Sequence, residues 1–475
     1  MQHAYRDRRV GIEQSDGEER PLLVEDHRQI TGLAAVGTAR DPPVVEPRMA
    51  LAQLAFGGGR GLQGQTFVAR SRQSIEGEHR PTLRRSTARM ALGAIAPVAS
   101  MFPLVTDATP SHLTAAHTAD SPLLEITDLR THFLTANGRV RAVDGVTLTL
   151  ERGKTLGVVG ESGSGKTVLS RSVMNLLPKH NVHREGSVKF EGQELLGRSD
   201  KEMREIWGKE MAMVFQDPMS SLNPVMKIGK QITEPLRLHL DVDRKEARLV
   251  AEQLLRSVNI PEPEKRFDEF PHQLSGGMRQ RVMIAVAMAC GPKLLFADEP
   301  TTALDVTVQA QILNLLQDQQ IERFMAMVLV THDLGVVAGR TDEIAVMYGG
   351  RIAEKAPTNS LFANMKHPYT QALLRSIPRV ENPSHTRLQV IAGRPPDLIN
   401  PPKGCSFSLR CPYVQPRCHE ERPQLTPSAT PGHSFACHFP LGTRENEVAL
   451  ETNLAAGLPQ TLASVEGVGI GAPVV

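Results

Sequence analysis

Apolar residues in the first 120 positions come in short pieces, with neither a 3.6 nor a 2 period. Glycines (FGGGRG, 56–61), scattered prolines and many arginines interrupt them. Residues 1–121 read as a disordered N-terminal extension, or as translation upstream of a true start at Met90 or Met101. Patterning begins at Pro122. LLEITDLRTHFL and RAVDGVTLTLERG alternate as half-buried strands do, with Val146, Leu148 and Leu150 on one face. TLGVVG then predicts a short buried strand, and TVLSRSVMNLL a helix ended by Pro178. MAMVF (211–215), KLLFAD (293–298) and MAMVLVTHD (325–333) are continuous apolar runs, the pattern of parallel strands covered on both faces. Between them, DRKEARLVAEQLLRSVNI carries Val250, Leu254, Leu255 and Val258 at helical spacing, and VMIAVAMAC reads as an apolar helix. Strands alternating with helices predict an α/β fold. The core spans 122–355, with a helical subdomain over about 217–290 and a separate region over 356–475 ending in a disordered tail.

Composition narrows the class. A chain of 475 residues holds two or three domains. Net charge is +2 and charged residues are 22%, so no overall field points to nucleic acid. A spanning helix needs about 20 apolar residues; the nearest run, 90–105, is shorter and is broken by two prolines. The Arg-rich stretch before it also carries acids and does not read as a secretory signal. These features predict a soluble intracellular chain, a setting that disfavours structural disulfides.

The chemistry sits at the ends of the apolar runs. GESGSGKT comprises Gly160, Glu161, Ser162, Gly163, Ser164, Gly165, Lys166 and Thr167. It follows a strand and opens a helix, as a phosphate-binding loop must. Glycines let backbone N–H groups turn inward around phosphate, and the helix N-terminus adds partial positive charge. Lys166 suits the β- and γ-phosphates and Thr167 suits Mg²⁺. KLLFADEP ends in Asp298, placed for the Mg²⁺ shell, and Glu299, placed to polarise an attacking water. His332 and Gln216 end two further strands of the same series. LSGGMRQR (274–281) contains a second helix start of the anion-binding kind, with Ser275, Gly276 and Gly277 but no second lysine.

Taken in order, these motifs resemble the ATP-binding cassette (ABC) family over residues 122–355. GESGSGKT is similar to the Walker A loop, Gln216 to the Q-loop, LSGGM to the signature and LLFADE to Walker B. Ala303, Leu304 and Asp305 match the D-loop, and His332 the switch histidine. The resemblance implies a P-loop NTPase fold with a RecA-like core, an antiparallel β subdomain and a helical subdomain. It implies ATP and Mg²⁺ as ligands, with Thr167, Gln216 and Asp298 at the metal and Glu299, His332, Gln216 and Lys166 at the reaction. It further implies head-to-tail pairing with a second cassette, identical or not, so that Ser275, Gly276 and Gly277 meet the partner's ATP. Phe133 is the residue expected to stack on adenine.

Finer features resemble the oligopeptide/dipeptide (peptide/nickel) importer ATPases: FQDPMSSLNPVMKIG, ADEPTTALDVTVQAQIL and HPYTQALL. That resemblance implies two membrane permease subunits, an extracytoplasmic solute-binding protein, no nucleic-acid partner and a peripheral place on the cytoplasmic face of the cell membrane. Residues 216–225 are expected to meet the permeases. A nickel or other small-solute importer and a non-transport ABC ATPase are the alternatives. Cys405, Cys411, Cys418 and Cys437 have five, six and eighteen residues between successive members, which is not the paired spacing of zinc ribbons. CSFSLRC resembles the C-terminal region of the same importers, which implies a [4Fe–4S] cluster; zinc and free thiols are the alternatives. Cys290 reads as a core thiol.

Overall fold

The computed structural model describes residues 121–302, 304–377 and 391–457. The expectations for 1–120, for Ala303 and for the tail beyond 457 lie outside the described residues. Among those residues, two sheets form. The first is antiparallel: β1 (Leu124–Thr135), β2 (Gly138–Leu150), β4 (Val182–Phe190) and β5 (Gln193–Glu194) run in the order β2-β1-β4-β5. The second contains β3 (Thr155–Val159), β6 (Met211–Val214), β7 (Leu294–Asp298), β8 (Ala326–Thr331), β9 (Glu343–Tyr348), β10 (Arg351–Pro357), β11 (Thr426–Pro427) and β12 (Ser434–Phe435). Its order is β11-β12-β10-β9-β3-β8-β7-β6. Strands β9, β3, β8, β7 and β6 are mutually parallel, and β10, β12 and β11 extend the sheet antiparallel.

The continuous apolar runs are two alternating sets folded into one strand. In β3, Leu156 and Val158 face the antiparallel sheet and join the cluster that holds Ile126, Val146 and Leu148, whereas Val159 turns to the other side. In β7, Leu294 and Phe296 lie on the first face, Leu295 and Ala297 on the second. The second face packs on helices, through Ile232, Leu254, Leu255, Ile284 and Ile312. Burial on both faces is why polar residues appear only where these strands end.

The helix after the glycine loop is shorter than its pattern predicts. It runs Lys166–Val173 rather than to the residue before Pro178. Asn175 takes φ +55, the N–H of Leu176 donates to Arg171 O (2.9 Å) and that of Asn175 to Ser172 O (3.2 Å). That paired closure ends a helix whatever apolar residues follow. Within 217–290 lie the helices Ile228–His239, Arg244–Ser257 and Gly276–Ala287. Asp243 starts the second of these by accepting from the N–H groups of Lys245 (2.7 Å) and Glu246 (2.9 Å).

The C-terminal region is tied to the sheet by a buried carboxylate. Glu354 of β10 is 0% exposed. It accepts from the N–H groups of Lys366 (2.5 Å) and His367 (3.0 Å), and His433 Nε2 lies 2.8 Å from its Oε1. Glu354→Ala would leave two amides and a buried imidazole without their acceptor. It is expected to lower unfolding stability by about 3–5 kcal/mol, read as a shift in urea midpoint.

Candidate functional site

The glycine loop leaves β3 between two backbone carbonyls. A Cβ on Gly160 would lie 2.2 Å from Met347 O, and one on Gly165 would lie 2.1 Å from Ala142 O. Gly165 also has φ +103 and caps the helix. Neither position admits a side chain. Ser162 and Gly163 are exposed at the loop's tip, Ser164 is buried, and Ser164 Oγ has no hydrogen-bond partner. Lys166, 5% exposed, folds back so that Nζ donates to the carbonyls of Gly160 (2.8 Å) and Glu161 (3.0 Å). Burial pushes its pKa down, while Glu299, Asp298 and Glu161 pull it up.

Strand β7 delivers two carboxylates with different surroundings. Asp298 is 0% exposed. Thr167 Oγ1 donates to its Oδ1 (3.0 Å), and its Oδ2 is buried without a partner. Burial raises the Asp298 pKa, the Thr167 bond lowers it, and the charge of Glu299 raises it again. An orphaned carboxylate oxygen beside a hydroxyl is a hard-oxygen set of the kind Mg²⁺ takes, so these residues fit the expected ion. Glu299 turns back at φ +45, a left-handed conformation costing about 1–3 kcal/mol in a non-glycine residue. Its N–H donates to Val330 O (2.9 Å), which holds the turn. The turn makes Glu299 a hub: Gln216 Nε2 (3.1 Å) and Thr302 Oγ1 (3.0 Å) donate to Oε2, His332 Nδ1 lies 3.4 Å from Oε1, and Lys166 Nζ lies 3.9 Å from Oε1. Gln216, expected at the metal, is thus bonded through its amide nitrogen to Glu299.

Other expected residues sit apart from this hub. Ser275 and Gly276 are exposed, and Ser275 Oγ accepts from the N–H of Met278 (3.3 Å) at the start of its own helix. Gly277 packs against Val308, which a Cβ would approach to 3.0 Å. Phe133 is half-buried in β1, opposite Val140 of β2 and Val182 of β4. Two residues beyond Val140, the Ala142 carbonyl abuts Gly165, so the hairpin leads from Phe133 to the loop.

Residues 143–302 match the family model described as ABC transporter, and residues 353–418 match that described as oligopeptide/dipeptide transporter, C-terminal region. The chain is 51% identical over 304 residues to the oligopeptide transport ATP-binding protein OppD of Bacillus subtilis, covering 64% of this chain and 85% of that protein. The chain belongs to the ABC transporter ATP-binding subunits of the oligopeptide/dipeptide type. It is also 48% identical over 327 residues to the probable peptide ABC transporter ATP-binding protein y4tR of Sinorhizobium fredii (69% and 96% covered). Identity to the dipeptide transport ATP-binding protein DppD of Escherichia coli is 46% over 319 residues (67% and 97%).

In this ABC subunit Cys405, Cys411, Cys418 and Cys437 line one small cavity with Phe407, Tyr413 and Phe439, and all four are free. The N–H of Cys405 donates to Cys418 O (2.8 Å), closing the loop. Burial pushes the thiol of Cys405 up to about 11 and that of Cys437 up to about 12, and neighbouring thiols add to both shifts. Among the described residues no three His, Cys, Asp or Glu side chains are grouped to hold a metal ion. The donor set itself, soft sulfur throughout, is one that zinc and an iron–sulfur cluster both take. Cys290, by contrast, is a buried thiol in the main core, raised to about 11 chiefly by burial.

Sequence reasoning missed several residues of the ABC site. Thr302 braces Glu299. Tyr369 Oη accepts from the N–H of Glu161 (2.8 Å), and Arg410 Nη1 and Nη2 donate to the Glu161 carboxylate (2.6 and 2.8 Å). Tyr369 lies in HPYTQALL and Arg410 in CSFSLRC, so both stood inside quoted motifs without an assigned role.

Proposed function

We propose that the chain hydrolyses ATP to energise an importer of oligopeptides or dipeptides, acting as a peripheral subunit on the cytoplasmic face of the membrane. The observation that carries this is Glu299, held by Gln216 and Thr302 and set beside Lys166 and His332, next to the Asp298–Thr167 pair. Lys166 leaves its two loop carbonyls for the β- and γ-phosphates when ATP enters. Glu299 accepts the proton of the attacking water and His332 steadies the γ-phosphate. Thr167, Asp298 and Gln216 would hold Mg²⁺, which when bound neutralises charge on the phosphate oxygens. The exposed Ser275 and Gly276, with Gly277, serve the ATP of a second cassette, and Phe133 stacks on the base. Two permeases and an extracytoplasmic binding protein complete the importer, with the exposed Met219 and Val225 at the permease contact. No helix among the described residues is long and apolar enough to cross a membrane, which fits a subunit that leaves the pore to others.

The decisive experiment purifies the subunit with its permeases and binding protein and measures ATP turnover with candidate ligands. Stimulation by peptides is expected. Stimulation by nickel alone would replace the substrate assignment, and no turnover under any condition would end it.

Cys405, Cys411, Cys418 and Cys437 would hold a [4Fe–4S] cluster, whose part is to staple the C-terminal region rather than to enter the reaction. Protein purified without oxygen is expected to contain iron and acid-labile sulfide, both lost in Cys411→Ser. Iron-free wild-type protein would leave the four residues as thiols.

A further inference from the structure

Glu161 sits second in the phosphate loop, and its carboxylate is paired with Arg410 of the cysteine-rich loop. The residue is pinned at three points: its N–H by Tyr369 Oη, its carbonyl by Lys166 Nζ and its carboxylate by Arg410. Arg410 is 6% exposed and has an acceptor for each of its five N–H bonds. Nε donates to Ala392 O (2.8 Å), Nη1 to Glu161 Oε2 (2.6 Å) and Tyr348 Oη (3.1 Å), and Nη2 to Glu161 Oε1 (2.8 Å) and Ile391 O (3.0 Å). The aromatic support is packed as tightly. Tyr348 and Tyr369 have ring centroids 4.4 Å apart, and Phe407 lies 5.3 and 5.4 Å from the two.

Two physical consequences follow. A bidentate guanidinium fixes the orientation as well as the position of a carboxylate, so it fixes the rising limb of the loop. A carboxylate in a loop that receives a triphosphate also repels the ligand unless its charge is cancelled. We propose that Arg410 is a positioning residue for the ATP site: it orients the phosphate loop through Glu161 and neutralises that residue's charge. This rests on the ATP-site reading above. It makes the segment carrying Cys405 and Cys411 part of the nucleotide site, although no atom of it is expected to touch the nucleotide.

The test is MgATP titration of the purified full-length chain, with steady-state turnover in the assembled importer. Arg410→Gln is expected to weaken ATP binding about tenfold, within the coupling range of contacting residues, with the loss falling on KM more than on kcat. Adding Glu161→Gln to that variant removes the uncancelled charge and is expected to recover part of the affinity. A purely structural role for Arg410 would not reverse sign in this way. Wild-type affinity in Arg410→Gln, or no recovery in the double variant, overturns the proposal. If Arg410→Gln does not fold, Arg410→Lys carries the test. It keeps the charge but loses the fork, so intermediate weakening supports the proposal and unchanged affinity overturns it. Wild-type protein that does not bind ATP would instead remove the ATP-site reading itself, a separate result.

Discussion

Glu299→Gln is expected to cut ATP turnover by about 100- to 1,000-fold, within the range for loss of a positioned general base. The substitution is nearly isosteric and keeps an oxygen that can accept from Gln216 and Thr302, so the hub's shape survives while its basicity is lost. Removing the negative charge 3.9 Å from Lys166 also removes a competitor for the lysine, so ATP should stay bound and hold two cassettes together. Size-exclusion chromatography with MgATP reads the paired species, and phosphate release reads the rate. Near-normal phosphate release would move the base elsewhere.

Lys166→Ala acts on the opposite quantity. Its ammonium, 5% exposed, has two carbonyl acceptors that ATP phosphates can replace without first stripping water from it. Its loss should weaken ATP binding by about 3 kcal/mol, on the order of 100-fold. Alanine removes the bonds to Gly160 O and Glu161 O as well, so the loop also loses its internal brace. Fluorescent-nucleotide titration checks the prediction. An unchanged dissociation constant would take Lys166 out of the site.

What could be read from the chain alone was whatever depends on neighbours in sequence. The runs at 211–215, 293–298 and 325–333 announced two-sided burial, and their polar ends announced Gln216, Asp298, Glu299 and His332. The loop at 160–167 carries its own conformation in its glycines, so its shape was legible without a partner. The end of the following helix was not, because Asn175 closes it in a conformation that apolar periodicity does not register. The pairing of Glu161 with Arg410 was further out of reach: 249 positions separate them, and neither residue type implies the other. β11 and β12 are two residues each, too short for any period to show. Glu354, in a strand that reads as ordinary, gave no sign that it would hold Lys366, His367 and His433 together.

That buried carboxylate has a practical consequence for dissection. A minimal cassette excised at Pro357 would strand Glu354 with none of its three donors and leave Glu161 facing solvent without its counterion. Such a fragment would report the folding and nucleotide affinity of a damaged particle. Crystallographers and enzymologists alike are better served by the uncut polypeptide.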